Sequence, residues 1–360
     1  AFGVNLAVFT ATYDAQSHVD AQLTLGADVT ATAPAGAIVG KGLQRTIAGV
    51  AGVQATTPVD HSYAYVGPDL QDTYGIDART IGAATTLRDS YFLGAGAQQT
   101  IARLRSRPDG ILVSKETMTD YQLSLGDLLR LRVLDRARGQ FHVVNFHVAG
   151  VVQEFPAAPR DSFMVANLAY LQAADHAGGP NLLFVRSGSP TRTAAAIAAR
   201  TRQDGVITKS IDQQTRETVS SITTVNLSGI SRIEEIFALA LTAAAVALYI
   251  ALVLSDRRHE LATMVAVGHS LRDVSAYVWS EVALVVGCGL ALAAPLGLAV
   301  SLMLVAMLQH VFDPPPDALV LPWGFLAELA GAAVLVFAVG AVAAQRSLRR
   351  LPLGRVLREQ

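Results

Sequence analysis

The stretch SDRRHELATMVAVGHSLRD, residues 255–273, lies between two long uncharged runs and decides how this chain is organised. No Asp, Glu, Lys or Arg occurs in residues 236–255, and none occurs in residues 282–308. A helix needs about 20 apolar residues to cross the hydrocarbon of a bilayer, and each run is long enough. A third uncharged run covers residues 329–345. The sequence therefore predicts three membrane spans, with the quoted stretch as a short segment at the membrane surface.

The distribution of arginines predicts the direction of these spans. The first connection and the tail carry the basic residues Arg257, Arg258, Arg272, Arg346, Arg349, Arg350, Arg355 and Arg358. The connection between the second and third spans, residues 309–324, has no Lys or Arg. Because basic loops stay on the cytoplasmic side, the quoted stretch and the tail are expected in the cytoplasm. The large domain that precedes the first span is then extracytoplasmic.

The chain divides into four parts by composition. Residues 1–12 are expected to be the end of a truncated first transmembrane helix, because AFGVNLAVF is apolar but too short to cross. Residues 13–235 are expected to form an extracytoplasmic α+β domain with stalk helices at 10–28 and 213–236, for which flexible linkers are the alternative. Residues 236–345 are expected to hold three transmembrane helices, with a coupling helix at 257–268, and residues 346–360 a basic cytoplasmic tail. The predicted fold class is thus an α+β extracytoplasmic domain plus a transmembrane α-helical bundle of three complete spans and the end of a fourth.

Within the outer domain, turn residues and β-branched runs predict individual elements. GILVS (110–114) and LLRLRVL (128–134) read as strands around a helix near 115–123, and residues 141–155 read as a strand pair. PTRTAAAIAARTRQ (190–203) reads as a helix followed by a strand in GVITKSI. HSYAYVGPDLQDTY (61–74) is aromatic and acidic, and two interpretations stay open: an exposed contact loop or ordinary surface structure.

No pattern in the sequence indicates catalysis or metal binding. GAIVGKG (36–42) has three residues between its first glycines and no Ser or Thr after the Lys, so it fails as a phosphate loop. His142 and His147 are an odd number of positions apart, which points them to opposite faces of a strand. The net charge of −1 gives no argument for nucleic acid, and the single cysteine, Cys288, excludes an intrachain disulfide. We expect no catalytic residues, no metal site and no cofactor bound by this chain.

The quoted stretch carries signals for a short helix between two turns. Ser255 or Asp256 is expected to cap its start, and Gly268 suits its end. Ser270 followed by Asp273 matches a capping box for the next helix. Arg257, Arg258 and Glu260 give the segment a polar side, while Met264 is apolar. Two interpretations remain open: a helix anchored on anionic lipid, or a helix that docks a cytoplasmic partner.

Residues 256–297, DRRHELATMVAVGHSLRDVSAYVWSEVALVVGCGLALAAPLG, resemble the signature of the FtsX-like (MacB-type) ABC transporter permeases. The matching positions are Arg258, Glu260, Ala266, Val267, Gly268 and Glu281, then Gly287, Gly289 and Gly297. In the tail, Pro352, Leu357 and Arg358 resemble the family's pattern, and Gly126 with Asp127 resembles a turn of its outer domain.

The resemblance implies a permease subunit in a bacterial plasma membrane, driven by a separate cytoplasmic ABC ATPase that acts as a dimer and binds ATP and Mg. It also implies four spans per unit, so this chain is expected to be the second half of a longer duplicated permease, with a second permease half or subunit as partner. The expected ATPase-coupling residues are Arg257, Arg258, Glu260, Met264 and Gly268. Gly287, Gly289, Pro295 and Gly297 are expected at helix packing surfaces, with a kink at Pro295.

The expected activity is mechanotransmission, in which ATP hydrolysis drives an extracytoplasmic movement that extracts or exports a lipid, lipoprotein or peptide. One alternative is a transmembrane switch that activates a cell-wall hydrolase, and another is a membrane receptor outside the ABC class. The extracytoplasmic partner would be a lipoprotein or a hydrolase, and the spans would contact membrane lipid. The sequence does not name the cargo.

Overall fold

The computed structural model describes residues 2–158, 161–176, 178–221, 267–308 and 320–348, together with scattered residues between 233 and 264. The chain separates into two compact units. One unit comprises residues 17–224, and the other combines residues 1–16 with residues 225–360. The expected division at residue 235 stays a prediction, since most of residues 222–235 lie outside the described part.

One half of the 17–224 unit is a four-stranded antiparallel sheet with two helices. Its elements, in chain order, are β1 (Val29–Thr32), α2 (Lys41–Ala48), β2 (Val53–Val66), β9 (Leu182–Ser187), α7 (Pro190–Arg200) and β10 (Ile207–Ser210). The strand order is β10, β1, β9, β2, with every pair antiparallel. This is the split βαβ arrangement of ferredoxin-like folds. Val29, Ile47, Leu183, Val185 and Ile197 are fully buried between the sheet and its helices.

The segment inserted between β2 and β9 forms a closed ring of strands. Its strands are β3 (Asp69–Ile76), β4 (Phe92–Leu93), β5 (Gly110–Ser114), β6 (Leu128–Asp135), β7 (Gln140–Val152) and β8 (Phe163–Asn167). Pairing runs from β2 through β3, β8, β5, β7 and β6 and returns to β2, while β4 pairs only the end of β7. Alternate residues of these strands point inward, and Ile111, Leu131, Phe146 and Met164 fill the interior. The ring is therefore a small six-stranded barrel whose inside is packed with side chains.

Short helices pack against the barrel, some over its outer face and others against the side chains of its interior. They are α3 (Ile81–Ala84), α4 (Ala97–Ser106), α5 (Lys115–Asp120) and α6 (Leu168–Asp175), and 3-10 turns occur at Asp89–Tyr91 and Arg202–Asp204. Gly75 on β3 permits the close approach of α6, because an added Cβ would lie 3.1 Å from both Leu168 and Leu171. A second cluster, which includes Phe92, Leu104, Phe155 and Phe163, fills the space under α3 and α4.

Most of the predicted elements of this unit are confirmed. β5 and β6 fall on the predicted strands, α7 and β10 on the predicted helix and strand, and α5 is shorter than expected. Gly126 has a φ of +91° in the turn before β6, as the resemblance to a Gly-Asp turn implied. The strand pair predicted at 141–155 is wrong: β7 is one continuous strand that pairs β6 with its first half and β5 with its second. Residues 61–74 form the β2–β3 hairpin rather than a loop.

The other unit is built from long helices. They are the first part of α1 (Phe2–Leu25), α9 (Leu271–Leu308) and α10 (Trp323–Leu348), and each described residue in 236–256 is helical. Among the residues that the structure describes, one helical segment, Trp279–Ala306, is long and apolar enough to cross a membrane. The predicted span at 236–255 is described at some of its residues and not at others. That span and the span at 329–345 stay predictions, although α10 covers the latter.

The first predicted stalk is helical, because α1 continues without a break from Phe2 to Leu25. The second begins as α8 (Ile211–Ser221), and residues 222–232 lie outside the described part. Pro295 lies inside α9, and the helix continues past it to Leu308.

Replacing Phe146 by Ala is expected to destabilise the barrel by about 3–5 kcal/mol, because its fully buried ring fills the interior. The matched control is Phe141→Ala on the same strand, where the ring is 48% exposed. Hydrogen exchange of the β6 and β7 amides in the purified chain measures the effect. Equal exchange rates in the two variants would contradict the packed interior.

Candidate functional site

The quoted stretch ends in two capped turns, as its sequence predicts. Gly268 has a φ of +101°, and the N–H of His269 donates to the carbonyl of Met264 at 3.0 Å. This 6→1 hydrogen bond around a left-handed glycine closes a helix C-terminus. Ser270 and Asp273 exchange hydrogen bonds between side chain and backbone, at 3.0 Å and 3.3 Å, and so form the capping box of α9.

The start of the stretch differs from the prediction. Ser255 and Asp256 both have helical backbone, and the turn begins at Arg257. An N-cap residue lies outside its helix, so the expectation that Ser255 or Asp256 caps this segment is wrong.

Arg257 connects the beginning of the stretch to α9. Its Nη1 donates to Oε2 of Glu281 at 2.8 Å and to the hydroxyl of Tyr277 at 3.1 Å. Tyr277 and Glu281 are four residues apart, so they lie on one face of α9 and meet the same guanidinium. The Glu281 carboxylate raises the pKa of Arg257, with smaller contributions from Tyr277 and Glu260. Arg257 therefore ties the segment to the following helix.

The other predicted coupling residues are placed as follows. Glu260 has helical backbone and is exposed, Met264 is helical and half-buried, and Gly268 is exposed. Arg258 lies outside the described residues. The structure thus brings Arg257 together with Glu281 and Tyr277, and the role of all five residues in coupling stays a prediction. Sequence reasoning missed Tyr277, whose only signal was its i,i+4 spacing from Glu281.

A second set of contacts joins α1 and α9 within the helical unit. The hydroxyl of Ser301 donates to Oδ1 of Asn5 at 2.9 Å and to the carbonyl of Gly297 at 2.8 Å. Ser301 is fully buried and Val305 is 5% exposed. Gly297, one turn before Ser301, has no side chain and is buried, as small residues are where membrane helices pack closely.

The other predicted packing positions have open surroundings in the described part of this chain. A Cβ added at Gly287 or Gly289 would meet nothing within 4 Å, and Pro295 is exposed. Packing at these three positions stays a prediction.

Replacing Gly297 by Leu is expected to separate α1 from α9 and to lower the free energy of unfolding by about 1–3 kcal/mol through overpacking. Gly289→Leu is the matched control on the same helix, because it enters open space. Thermal unfolding of the purified chain in detergent measures both. An equal loss of stability in Gly289→Leu and Gly297→Leu would refute close packing at Gly297.

Charged side chains are buried where β2 passes from the first sheet to the barrel. Asp60 on β2 is fully buried, and Asp175 at the end of α6 is 1% exposed. Nη2 of Arg136, in the β6–β7 turn, lies 3.2 Å from Oδ2 of Asp60 and 3.6 Å from Oδ2 of Asp175. Burial, with the adjacent Asp175 adding to it and Arg136 opposing it, raises the pKa of Asp60 to about 6. No sequence pattern indicated this cluster, because its members are far apart in the chain.

The side chain of Asn181 completes the same region. Its Oδ1 accepts from the N–H of His61 at 2.8 Å, and its Nδ2 donates to the carbonyl of His61 at 2.7 Å. The amide thus takes the place of a neighbouring strand at a position where β2 has left β9 and has not yet reached β6. In the described part of the chain, no group of three or more His, Cys, Asp or Glu side chains is placed to hold a metal ion.

The raised pKa of Asp60 predicts that the 17–224 unit loses stability as the pH rises. Folding favours the protonated carboxyl, so its contribution is complete below the unfolded pKa of 3.8 and is lost as the pH passes about 6. Between about pH 5 and about pH 7 the expected loss is on the order of 1 kcal/mol.

Asp60→Asn should reduce the loss of stability with rising pH, since an amide does not titrate. Thermal unfolding of the purified chain across the pH range measures it, with His176→Gln as the control that leaves Asp60 in place. His176 contacts Asp135 in the adjacent turn, with 3.2 Å between Nδ1 and Oδ2. An undiminished loss in Asp60→Asn would exclude this carboxyl as the cause.

Comparison with known proteins identifies the C-terminal part of the chain. Residues 235–353 match the family described as FtsX-like permease C-terminal, a family of ABC transporter permeases. The resemblance that residues 256–297 carry is therefore confirmed. No curated protein matches the chain.

Two solved structures are similar to part of the chain. One is the extracellular domain of the ABC-type transporter YknZ from Gram-positive bacteria, with 14% identity, 46% of this chain and 85% of that chain covered, and a TM-score of 0.31. The other is a domain assigned to a permease protein from Porphyromonas gingivalis, with 15% identity, 52% and 89% covered, and a TM-score of 0.30.

Proposed function

We propose that this chain is the permease subunit of an ABC transporter of the mechanotransmission type. A separate cytoplasmic ATPase binds ATP and Mg, and its cycle drives a conformational change in the domain formed by residues 17–224. The observation that carries the proposal is the match of residues 235–353 to the FtsX-like permease C-terminal family. Catalysis of ATP hydrolysis belongs to the partner, which acts as a dimer.

The segment 257–268 is proposed as the docking site for that ATPase. Support comes from its two ends: Arg257 is held by Glu281 of α9, and at Gly268 the segment ends in a turn that the N–H of His269 closes on the carbonyl of Met264. Between them, Glu260 presents an exposed carboxylate. A short segment that Arg257 ties to α9 can move with that helix, which is what a coupling element requires.

The proposed location is a bacterial plasma membrane, with the 17–224 unit outside and the 257–268 segment in the cytoplasm. The distribution of arginines supports this direction. A second permease half or subunit completes the transporter. Extraction or export of a lipid, lipoprotein or peptide is the proposed outcome of the cycle.

Glu260→Lys is expected to abolish most of the ATPase stimulation that this chain gives its partner. The full chain is reconstituted with the ATPase encoded beside it, and phosphate release is measured with and without the permease. Reversing the charge at an exposed docking position places a repulsive contact in the interface, which typically costs several kcal/mol.

Glu116→Lys is the matched control, because it reverses an exposed carboxylate in the 17–224 unit. Full stimulation and an intact complex in Glu260→Lys would rule out docking through this residue. In the active complex, release of labelled lipid from vesicles would support extraction. Stimulated hydrolysis without any release would favour the switch that activates a cell-wall hydrolase.

A further inference from the structure

The C-terminal end of α1 is held by two hydrogen bonds from the segment inserted between β2 and β9. The N–H of Ala157, between β7 and β8, donates to the carbonyl of Leu23 at 2.6 Å. The hydroxyl of Thr85, which is 2% exposed, donates to the carbonyl of Gly26. The last carbonyls of a helix have no partner within it, and that of Leu23 is one of them. The segment that forms the barrel is therefore bonded directly to the end of α1, and we call Thr85 and Ala157 the anchor residues.

Ala157 joins α1 to the barrel through both of its backbone polar groups. Its carbonyl accepts from the hydroxyl of Tyr74 on β3 at 2.6 Å, while its N–H is bound to Leu23. Its φ of +66° lies in the left-handed region, which is uncommon for a residue with a side chain. A residue keeps such a conformation only where its surroundings fix it. The backbone of Ala157 is thus positioned to connect α1 with a strand of the barrel.

Apolar packing places the last turns of α1 in the core of the same unit. Val19 and Leu23, which are 6% and 7% exposed, belong to one buried cluster with Phe155, Phe163 and Phe184. Phe163 lies on β8 of the barrel, and Phe184 lies on β9 of the ferredoxin-like sheet. Because protein interiors are close-packed, a movement of this helix end displaces the side chains around it. The packing serves both halves of the unit, whereas the anchor residues belong to the inserted segment.

The ferredoxin-like sheet has its own connection to α1. β1 begins at Val29, shortly after α1 ends at Leu25, and the hydroxyl of Thr30 donates to the carbonyl of Leu25 at 2.6 Å. β10 pairs β1 over its whole length. A movement of α1 therefore reaches β1 and β10 through the chain itself. The barrel is connected to α1 less directly, through β2, the shared core and the anchor residues.

The first part of α1 is bonded within the helical unit. Oδ1 of Asn5 accepts from the hydroxyl of Ser301 on α9, and Oγ1 of Thr12 accepts from the N–H of Val320, just before α10, at 3.2 Å. α1 is one unbroken helix that belongs to both units of the chain. The same helix therefore has hydrogen-bonded partners in each unit.

We propose that α1 carries movement of the helical unit into the barrel, and that Thr85 and Ala157 are the positioning residues that make the barrel follow α1. This inference rests on the proposed function, because it names the path by which the ATP-driven change reaches the barrel. With both anchor residues in place, the barrel and the ferredoxin-like sheet move together. Without them, the ferredoxin-like sheet still follows α1 through β1, and the barrel follows only in part.

Distances between pairs of spin labels test the proposal in the full chain, assembled with its ATPase in lipid nanodiscs. Cys288, the single cysteine, is replaced by Ser so that labels attach only to introduced cysteines. One label is placed at Trp323, which is 72% exposed at the start of α10. Its partner is placed at Val143 on β7 of the barrel or at Ile207 on β10, which are 60% and 61% exposed. In the chain with both anchor residues, we expect ATP to change both distances.

Ala157→Pro removes the N–H that binds Leu23, because proline has none. Ala157→Gly is the matched control, since glycine keeps the N–H and adopts a positive φ readily. Thr85→Val removes the other hydrogen bond with little change in volume, so the test does not depend on one variant. In Ala157→Pro and Thr85→Val, the ATP-dependent change at position 143 should fall by about twofold or more. The change at position 207 and the ATPase stimulation should persist, and Ala157→Gly should keep all three.

The outcomes separate this inference from the proposed function. A full change at position 143 in both Ala157→Pro and Thr85→Val would overturn the inference, and so would an equal loss at positions 143 and 207. A loss at position 143 in Ala157→Gly would also overturn it, because that variant keeps the hydrogen bond. If ATP changes neither distance in the chain with both anchor residues while hydrolysis is stimulated, the proposed mechanotransmission itself fails.

Discussion

Strand β2 holds the 17–224 unit together because it belongs to two sheets. Its first half pairs β9 in the ferredoxin-like sheet, and its second half pairs β3 and β6 in the barrel. Val59 packs under the covering helices, while Ala64 and Val66 point into the barrel. A single strand of 14 residues therefore fixes the register of both halves. A slip of β2 by one residue would turn the buried side chains of this strand to the wrong face in both halves.

The change of partner along β2 leaves a gap that polar groups fill. Between Val59, the last residue paired with β9, and Ala64, the first paired with β6, the strand has no backbone neighbour on that side. Asn181 satisfies the backbone of His61, and Asp60 meets Arg136. Burying charges is unfavourable unless they are paired, so this cluster is a cost of joining two sheets through one strand. The buried carboxyl with a raised pKa, Asp60, therefore lies at the point where β2 passes from one sheet to the other.

The local parts of this structure could be predicted from the sequence, and the nonlocal parts could not. Gly268 and the Ser270–Asp273 pair form turns and caps with residues that are close in the sequence. GILVS is a strand because of its own β-branched and apolar residues. Closure of the barrel depends on β6 reaching back to β2, about 65 residues earlier, and no short pattern encodes that. The run at 141–155 was predicted as two strands from its β-branched and aromatic residues. It forms one long strand whose two halves pair different neighbours. The aromatic residues of 61–74 were visible in the sequence, but the placement of Tyr63 and Tyr65 on the same side of β2 follows from its pairing in the hairpin.

The contact between Arg257 and Glu281, which are far apart in the sequence, changes how the arginines of the 257–268 segment are interpreted. Taken alone, the arginines at the start of the 257–268 segment favour lipid and partner protein equally, because both attract basic residues. With its guanidinium held by Glu281 and Tyr277, Arg257 is committed to α9. Its charge is partly neutralised there, which weakens lipid anchoring through this residue. Glu260 of the same segment is exposed. A carboxylate at that position is repelled by anionic headgroups, so Glu260 does not add to lipid anchoring.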